Sequence, residues 1–251
     1  MTHSIALITG GSRGLGKSMA QQLAARGTDV IITYRNREDE ARGVVAGIEA
    51  LGRRGLALPL DVARRASFPD FAGALQATLR RVWQRDSFDY LVNNAGSHVL
   101  APFLETTDAQ FDELLDTHLR STFFLSQTLV PLIADGGRIL NMSSGLARYT
   151  YPGQAAYAVM KGGVEVLTRY MAAELGPRRI SVNVIAPGGI ETDFGGGVMR
   201  DARVQAAVTA QTALGRVGQP DDIGGVVAAL LAPEAGWING QRIEVTGGFM
   251  L

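Results

Sequence analysis

Thr9-Gly10-Gly11-Ser12-Arg13-Gly14-Leu15-Gly16 is the stretch on which the reading of this chain turns. It closes an apolar run, Ile5–Thr9, and opens a segment with helical spacing, Leu15–Arg26. Glycines at such a junction let the backbone turn tightly and approach a diphosphate, whose charge is favoured by the free N–H groups and the dipole of a helix N-terminus. Glycine turns after strands are common, so the pattern alone is weak. Its setting, between a first strand and a helix, makes Gly10, Ser12, Arg13, Gly14, Leu15 and Gly16 candidates for gripping a dinucleotide.

The same rhythm continues outward. Short apolar runs recur at Asp29–Thr33, Gly55–Pro59, Asp89–Asn93, Arg138–Ser143, Ile180–Ile185 and Arg242–Val245. Between them lie helix candidates at Glu38–Leu51, Phe111–Ala134, Tyr157–Leu175 and Asp221–Leu231. Alternation of this kind means βαβ units and a parallel sheet. The expectation is one α/β domain over residues 1–251, a Rossmann-type doubly wound parallel sheet with helices on both faces. One stretch breaks the rhythm: Pro187 to Thr212 carries Gly188, Gly189, Gly195, Gly196 and Gly197, and its first half fits neither helix nor strand. A glycine-rich segment of that length reads as a mobile substrate lid at about 188–212, with a plain surface loop as the competing reading.

Composition narrows the classes. The chain has 251 residues, with Lys+Arg and Asp+Glu both at 24, so no net charge calls for a nucleic-acid partner. There is no cysteine. That removes disulfides, thiolate nucleophiles and Cys-ligated metals, and is in keeping with a reducing cytoplasm. No apolar run is long enough to span a membrane, and Met1 to Gly10 lacks the basic and apolar segments of a signal peptide.

Which dinucleotide is bound is argued from the end of the second strand, where an NAD site usually has an acid for the adenosine ribose. Here the residues are Thr33-Tyr34-Arg35-Asn36, with no acid before Glu38. Arg35 and Arg13 can instead pair with a 2′-phosphate, which points to NADP(H); two ordinary surface arginines are the alternative. Asp61-Val62, after the third strand, is placed to meet the adenine, although Asp there is also an ordinary helix cap.

The strongest local signal is Tyr157-Ala158-Val159-Met160-Lys161. Residues four apart share a helix face, so the Lys161 ammonium can lie near the Tyr157 hydroxyl. A free tyrosine has a pKa of about 10, and a neighbouring positive charge brings it towards working pH. Ser144, ending the fifth strand, adds a hydroxyl for a substrate oxygen, or serves merely as a turn serine.

With these motifs in order, joined by Asn93-Asn94-Ala95-Gly96 and Pro187-Gly188 leading to Thr192, the sequence resembles a short-chain dehydrogenase/reductase over nearly its whole length. The closing Asn239–Gly248 stretch resembles 3-oxoacyl-carrier-protein reductase subunits and implies a homotetramer or homodimer. The resemblance implies that Tyr157 is the acid/base, that Lys161 holds the nicotinamide ribose and lowers the Tyr157 pKa, and that Ser144 polarises the carbonyl. It places Asn93, Ala95, Gly96, Pro187, Gly188, Ile190 and Thr192 along the cofactor. The implied activity is hydride transfer between NADPH and a ketone or secondary alcohol, 3-oxoacyl or other, with no metal.

One departure stands out. His118, in Asp116-Thr117-His118-Leu119-Arg120, occupies a position where the family usually has asparagine, which helps hold a proton-relay water. If His118 joins the catalytic group, an imidazole titrating at about 6.5 would add a pH dependence. If it breaks the relay, the chain is an inactive cofactor-binding or sensing protein. Sugar-nucleotide epimerases use a similar Tyr/Lys pair but usually carry a longer C-terminal domain. Tyr149, Tyr151, Phe194, Val198 and Met199 suit a moderately apolar substrate without choosing among acyl thioesters, polyketides, steroids and sugars.

Overall fold

A computed structural model describes residues 3–251; Met1 and Thr2, part of the stretch read for a signal peptide, lie outside the described residues. Seven parallel strands form one sheet in the order β3-β2-β1-β4-β5-β6-β7. They are β1 (Ile5–Ile8), β2 (Asp29–Tyr34), β3 (Gly55–Pro59), β4 (Phe88–Asn93), β5 (Ile133–Met142), β6 (Ser181–Pro187) and β7 (Arg242–Val245). The helices are α1 (Gly14–Ala25), α2 (Glu38–Ala50), α3 (Phe68–Trp83), α4 (Asp108–Leu114), α5 (Ser121–Leu129), α6 (Ala155–Glu174), α7 (Ala202–Thr209) and α8 (Pro220–Leu230). The strand order reverses between β1 and β4, which opens a crevice at their C-terminal ends.

Strand alternation divides the core between the two faces. Ala6, Ile8, Val30, Ile32 and Val92 pack with Met19 and Leu23 of α1, Val44 and Ile48 of α2, and Ile223 and Val227 of α8. Ile5, Leu7, Ile31, Leu91 and Val182 face Leu75 and Leu79 of α3 and Leu125 and Leu129 of α5. Every residue of β1 and β6 is buried, as strands covered on both sides must be.

The largest departures from the sequence expectation lie in the middle of the chain, where the strand expected at Arg138–Ser143 begins at Ile133. The helix expected at Phe111–Ala134 starts at Asp108, where Thr107 and Gln110 make a capping box. It ends before Ile133, because Pro131 has no N–H to continue it and Ile133 joins β5. Between α4 and α5 the chain makes a π-helical turn at Leu115–Arg120. A helix absent from the sequence reading, α3, has Pro69 in its first turn and buries Phe68, Phe71, Leu75 and Leu79 at helical spacing.

Candidate active site

The glycine loop is held from behind. Asn94, between β4 and the crevice, gives its backbone N–H to Thr9 Oγ1 at 2.9 Å, and its side-chain amide donates to the carbonyls of Thr9 and Gly10 at 2.9 and 3.1 Å. Gly10 and Gly14 have φ of +65° and +53°, the left-handed region that L side chains rarely adopt. A Cβ at Gly16 would meet the Gly10 carbonyl and come within 2.7 Å of the Asn94 amide nitrogen. The loop therefore lies as close to the α1 N-terminus as glycine alone permits, and that cradle fits a dinucleotide diphosphate. Asn94 was missed as a site residue, although it stands inside the quoted Asn93–Gly96 motif.

Other expected cofactor residues surround the crevice with differing partners. Asn93 is buried with its amide on Ser126 and Asn141, at 2.9 and 2.8 Å, so its side chain ties β4 to β5 and α5. Ala95 and Gly96 follow at the crevice edge. Asp61 accepts from the Ala63 N–H in a local turn and caps no helix, since the next helix has Ser67 at its N-cap, and Val62 packs on the core. Arg35 is exposed and has no ion-pair partner among the described residues. Arg13 is turned the other way: its guanidinium lies 3.5 Å from Asp193, which also pairs with Arg200. Pro187, Gly188, Ile190 and Thr192 run from β6 over the crevice, and Thr192 comes within 3.8 Å of where a Gly14 Cβ would stand. Ser12 and Leu15 are half-buried in the loop.

Opposite the loop, Ser144, Tyr157 and Lys161 converge. Tyr157 and Lys161 are both buried on α6. Lys161 Nζ donates to the Met142 carbonyl at 2.8 Å and lies 5.5 Å from the Tyr157 ring centre. Ser144 accepts from the Leu146 N–H at 3.2 Å, which leaves its own O–H free to donate. Burial pushes the Lys161 ammonium down to about 7 and the Tyr157 phenol above its usual value, with the Ser144 hydroxyl acting against the latter. In the protein alone, then, burial outweighs any help from Lys161, and Tyr157 stands as a neutral proton donor.

His118 sits in the π-helical turn, its ring edge-on to Tyr157 with centres 5.2 Å apart. Its Nε2 is 2.7 Å from the Ser97 carbonyl, so Nε2 carries the proton; Nδ1 is buried without a partner. Burial, and next the charge of Lys161, hold its pKa well below 6.5. That corrects the expected titration near 6.5: His118 stays neutral through the working range. Its carbonyl, at the position where the family resemblance puts a relay water, accepts from Thr122 Oγ1 at 2.6 Å.

The pocket also contains residues that the sequence did not single out. His98 is edge-on to both Tyr157 and Phe194, at 5.6 and 5.5 Å, and bonds Gln154. The available signal was scarcity: the chain has three histidines, and two of them flank the tyrosine. Above them the segment expected as a lid makes an irregular turn at Phe194–Arg200, with Gly195, Gly196 and Gly197 all at positive φ, and then α7.

Comparisons with known proteins give the family. The family model described as enoyl-(acyl carrier protein) reductase matches residues 10–250. The chain is 37% identical to a hydroxynaphthalene reductase-like protein, Arp2, of Metarhizium brunneum, over 99% of this chain and 95% of that one. Among solved structures it is similar to the reductase LugOII, described as catalysing keto-reduction at C1 in lugdunomycin biosynthesis, with TM-score 0.94 and 34% identity over 100% of this chain and 99% of that one. It is also similar to the angucycline C-6 ketoreductase LanV with bound NADP, with TM-score 0.93 and 32% identity over 98% and 95% of the two chains.

Proposed function

Since this chain belongs to the short-chain dehydrogenase/reductase family and is an oxidoreductase acting on carbonyl or alcohol groups, we propose that it uses NADPH to reduce a ketone on a fused aromatic ring system of the polyketide kind. The observation that carries the reading is the convergence of Ser144, neutral Tyr157 and Lys161 in a crevice edged by His98, His118 and Phe194. The relatives named as a hydroxynaphthalene reductase-like protein and an angucycline ketoreductase support the ring system, and the bound NADP of LanV supports the cofactor. The glycine loop and Arg35 would hold the cofactor, which supplies the hydride. Tyr157 donates its proton to the developing alkoxide, Ser144 donates a hydrogen bond to the same oxygen, and Lys161, anchored on the Met142 carbonyl, stands behind the tyrosine and is charged below about pH 7.

The chain would work in the cytoplasm as a homotetramer or homodimer. Exposed apolar side chains on and before α4, on α5 and on α6, among them Phe103, Leu104, Phe123, Val166 and Tyr170, support the assembly. A binding protein without turnover has only His118 in its favour. The test is NADPH oxidation across a tetralone, a 3-oxoacyl thioester, a steroid ketone and a keto sugar. Fastest turnover on the tetralone supports the reading, and turnover of the thioester alone would replace it with the 3-oxoacyl alternative. Oxidation of none of them would favour the binding protein.

A further inference from the structure

Gln154 stands at the N-cap of α6, three residues before Tyr157 and one turn earlier on the same side. Its side chain caps nothing, although free backbone N–H groups of the helix lie beside it. Instead Gln154 Oε1 lies 2.9 Å from His98 Nε2. An amide oxygen only accepts, so His98 must donate from Nε2, and the Gln154 NH2 is turned away from the histidine. That NH2 has no protein partner among the described residues.

His98 is itself fixed. Its ring is wedged edge-on against Tyr157 and Phe194, and Gly195 of the lid lies so close that a Cβ there would be 3.1 Å from Nδ1. Three neighbours thus hold the imidazole, and the imidazole holds the amide. The result is an oriented pair of N–H donors, half-buried at the mouth of an otherwise aromatic pocket, about one helical turn from the reacting tyrosine. A donor placed like this, with no protein partner among the described residues, is available to an acceptor that arrives with the ligand.

We infer that Gln154 is a specificity-determining residue that donates a hydrogen bond to a second substrate oxygen, a ring hydroxyl or carbonyl other than the one reduced, with His98 as the positioning residue that fixes which end of the amide faces the pocket. The inference rests on the reading of the site as a ketone reductase. It explains why a pocket walled by Phe194 and Tyr157 also contains a histidine–glutamine pair, and it restricts the substrate to an oxygenated ring system.

The experiment compares 1-tetralone with its ring-monohydroxylated derivatives in the wild type, Gln154→Leu and His98→Phe, each checked for NADPH binding and thermal unfolding. One neutral hydrogen bond predicts that the wild type favours at least one hydroxylated derivative by about tenfold in kcat/KM. Gln154→Leu should erase that ratio, and His98→Phe, which keeps the ring contacts but releases the amide, should reduce it severalfold. A wild-type ratio near one for every derivative overturns the inference, as does a ratio unchanged in Gln154→Leu. Calorimetric titration of a naphthol and a dihydroxynaphthalene into the NADP complex separates the two readings. If the diol binds tighter in the wild type but not in Gln154→Leu while no ketone turns over, the donor role stands and the reductase reading falls. If ketones turn over with a flat ratio and the two ligands bind alike, the reductase reading stands and the donor role falls.

Discussion

At the scale of single residues the chemistry depends on which side chains burial leaves charged. Tyr157→Phe removes the proton donor and keeps the ring contacts, so turnover should fall by about 10²–10⁴ with NADPH affinity unchanged. Near-wild-type turnover in steady-state assays would remove Tyr157 from its role. Lys161 carries a measurable mark of its burial. Its pKa is near 7 in the folded protein against an ordinary 10.5, so the unfolded chain binds more protons between those values. Stability of the cofactor-free protein should therefore rise with pH from about 7 towards 10, by up to about 1.4 kcal/mol per pH unit. The sign reverses above about 10, where the raised Tyr157 pKa makes the unfolded state the one that loses protons. Urea unfolding across this range should show the rise in the wild type and a flattened curve in Lys161→Met. His118 obeys the same logic at lower pH. It stays neutral when folded, so kcat–pH profiles of wild type and His118→Asn should coincide above about pH 6, while acid unfolding comes earlier in the wild type. An inflection near 6.5 that disappears in His118→Asn would show that the ring is hydrated and titrating.

At the scale of elements, two irregular segments aim the site. The π-helical turn at Leu115–Arg120 faces His118 towards Tyr157, with Ser121 and Thr122 hydroxyls bonding the Thr117 and His118 carbonyls. The lid is tied to the glycine loop through Arg13 and Asp193, an exposed pair of a kind worth about 1 kcal/mol or less. So weak a tie, next to three consecutive left-handed glycines, suits the lid role we propose for this segment, in which it opens when the cofactor is absent. Trypsin should cut first after Arg200 or Arg203, and NADPH should slow that cleavage severalfold, read by mass spectrometry of the fragments. First cleavage elsewhere, or no protection by cofactor, would show that this segment is not the lid.

At the scale of the whole molecule, the doubly wound sheet presents the loops after β1, β4, β5 and β6 at one edge, which supplies the glycine loop, Asn94 and Ser144, while Tyr157 and Lys161 come from the first turns of α6. The opposite concern is what the fold leaves uncovered. Leu104 is 93% exposed and Phe103 78%, beyond what a monomer of this composition needs to show. Sedimentation should therefore find a dimer or tetramer, and Leu104→Glu with Val166→Glu should shift it towards monomer. A monomeric wild type at micromolar concentration would remove the assembly from the proposal.

The sequence by itself determined the architecture and the chemistry set on it. Strand-length apolar runs alternating with helical spacing require a parallel sheet covered on both faces, and the glycines of Thr9–Gly16 are local demands of backbone geometry, legible without any partner. The Tyr157/Lys161 pair was readable for the same reason, since both residues share one helix. Tertiary structure decided what depends on neighbours distant in sequence. It turned Arg13 to Asp193, enlisted Asn94 as the clamp of the loop, and brought His98 beside Gln154 across 56 residues. It also set the protonation states, because the desolvation that keeps Tyr157 and His118 neutral and draws Lys161 down comes from side chains packed around them from several elements, and no spacing along the chain encodes that burial.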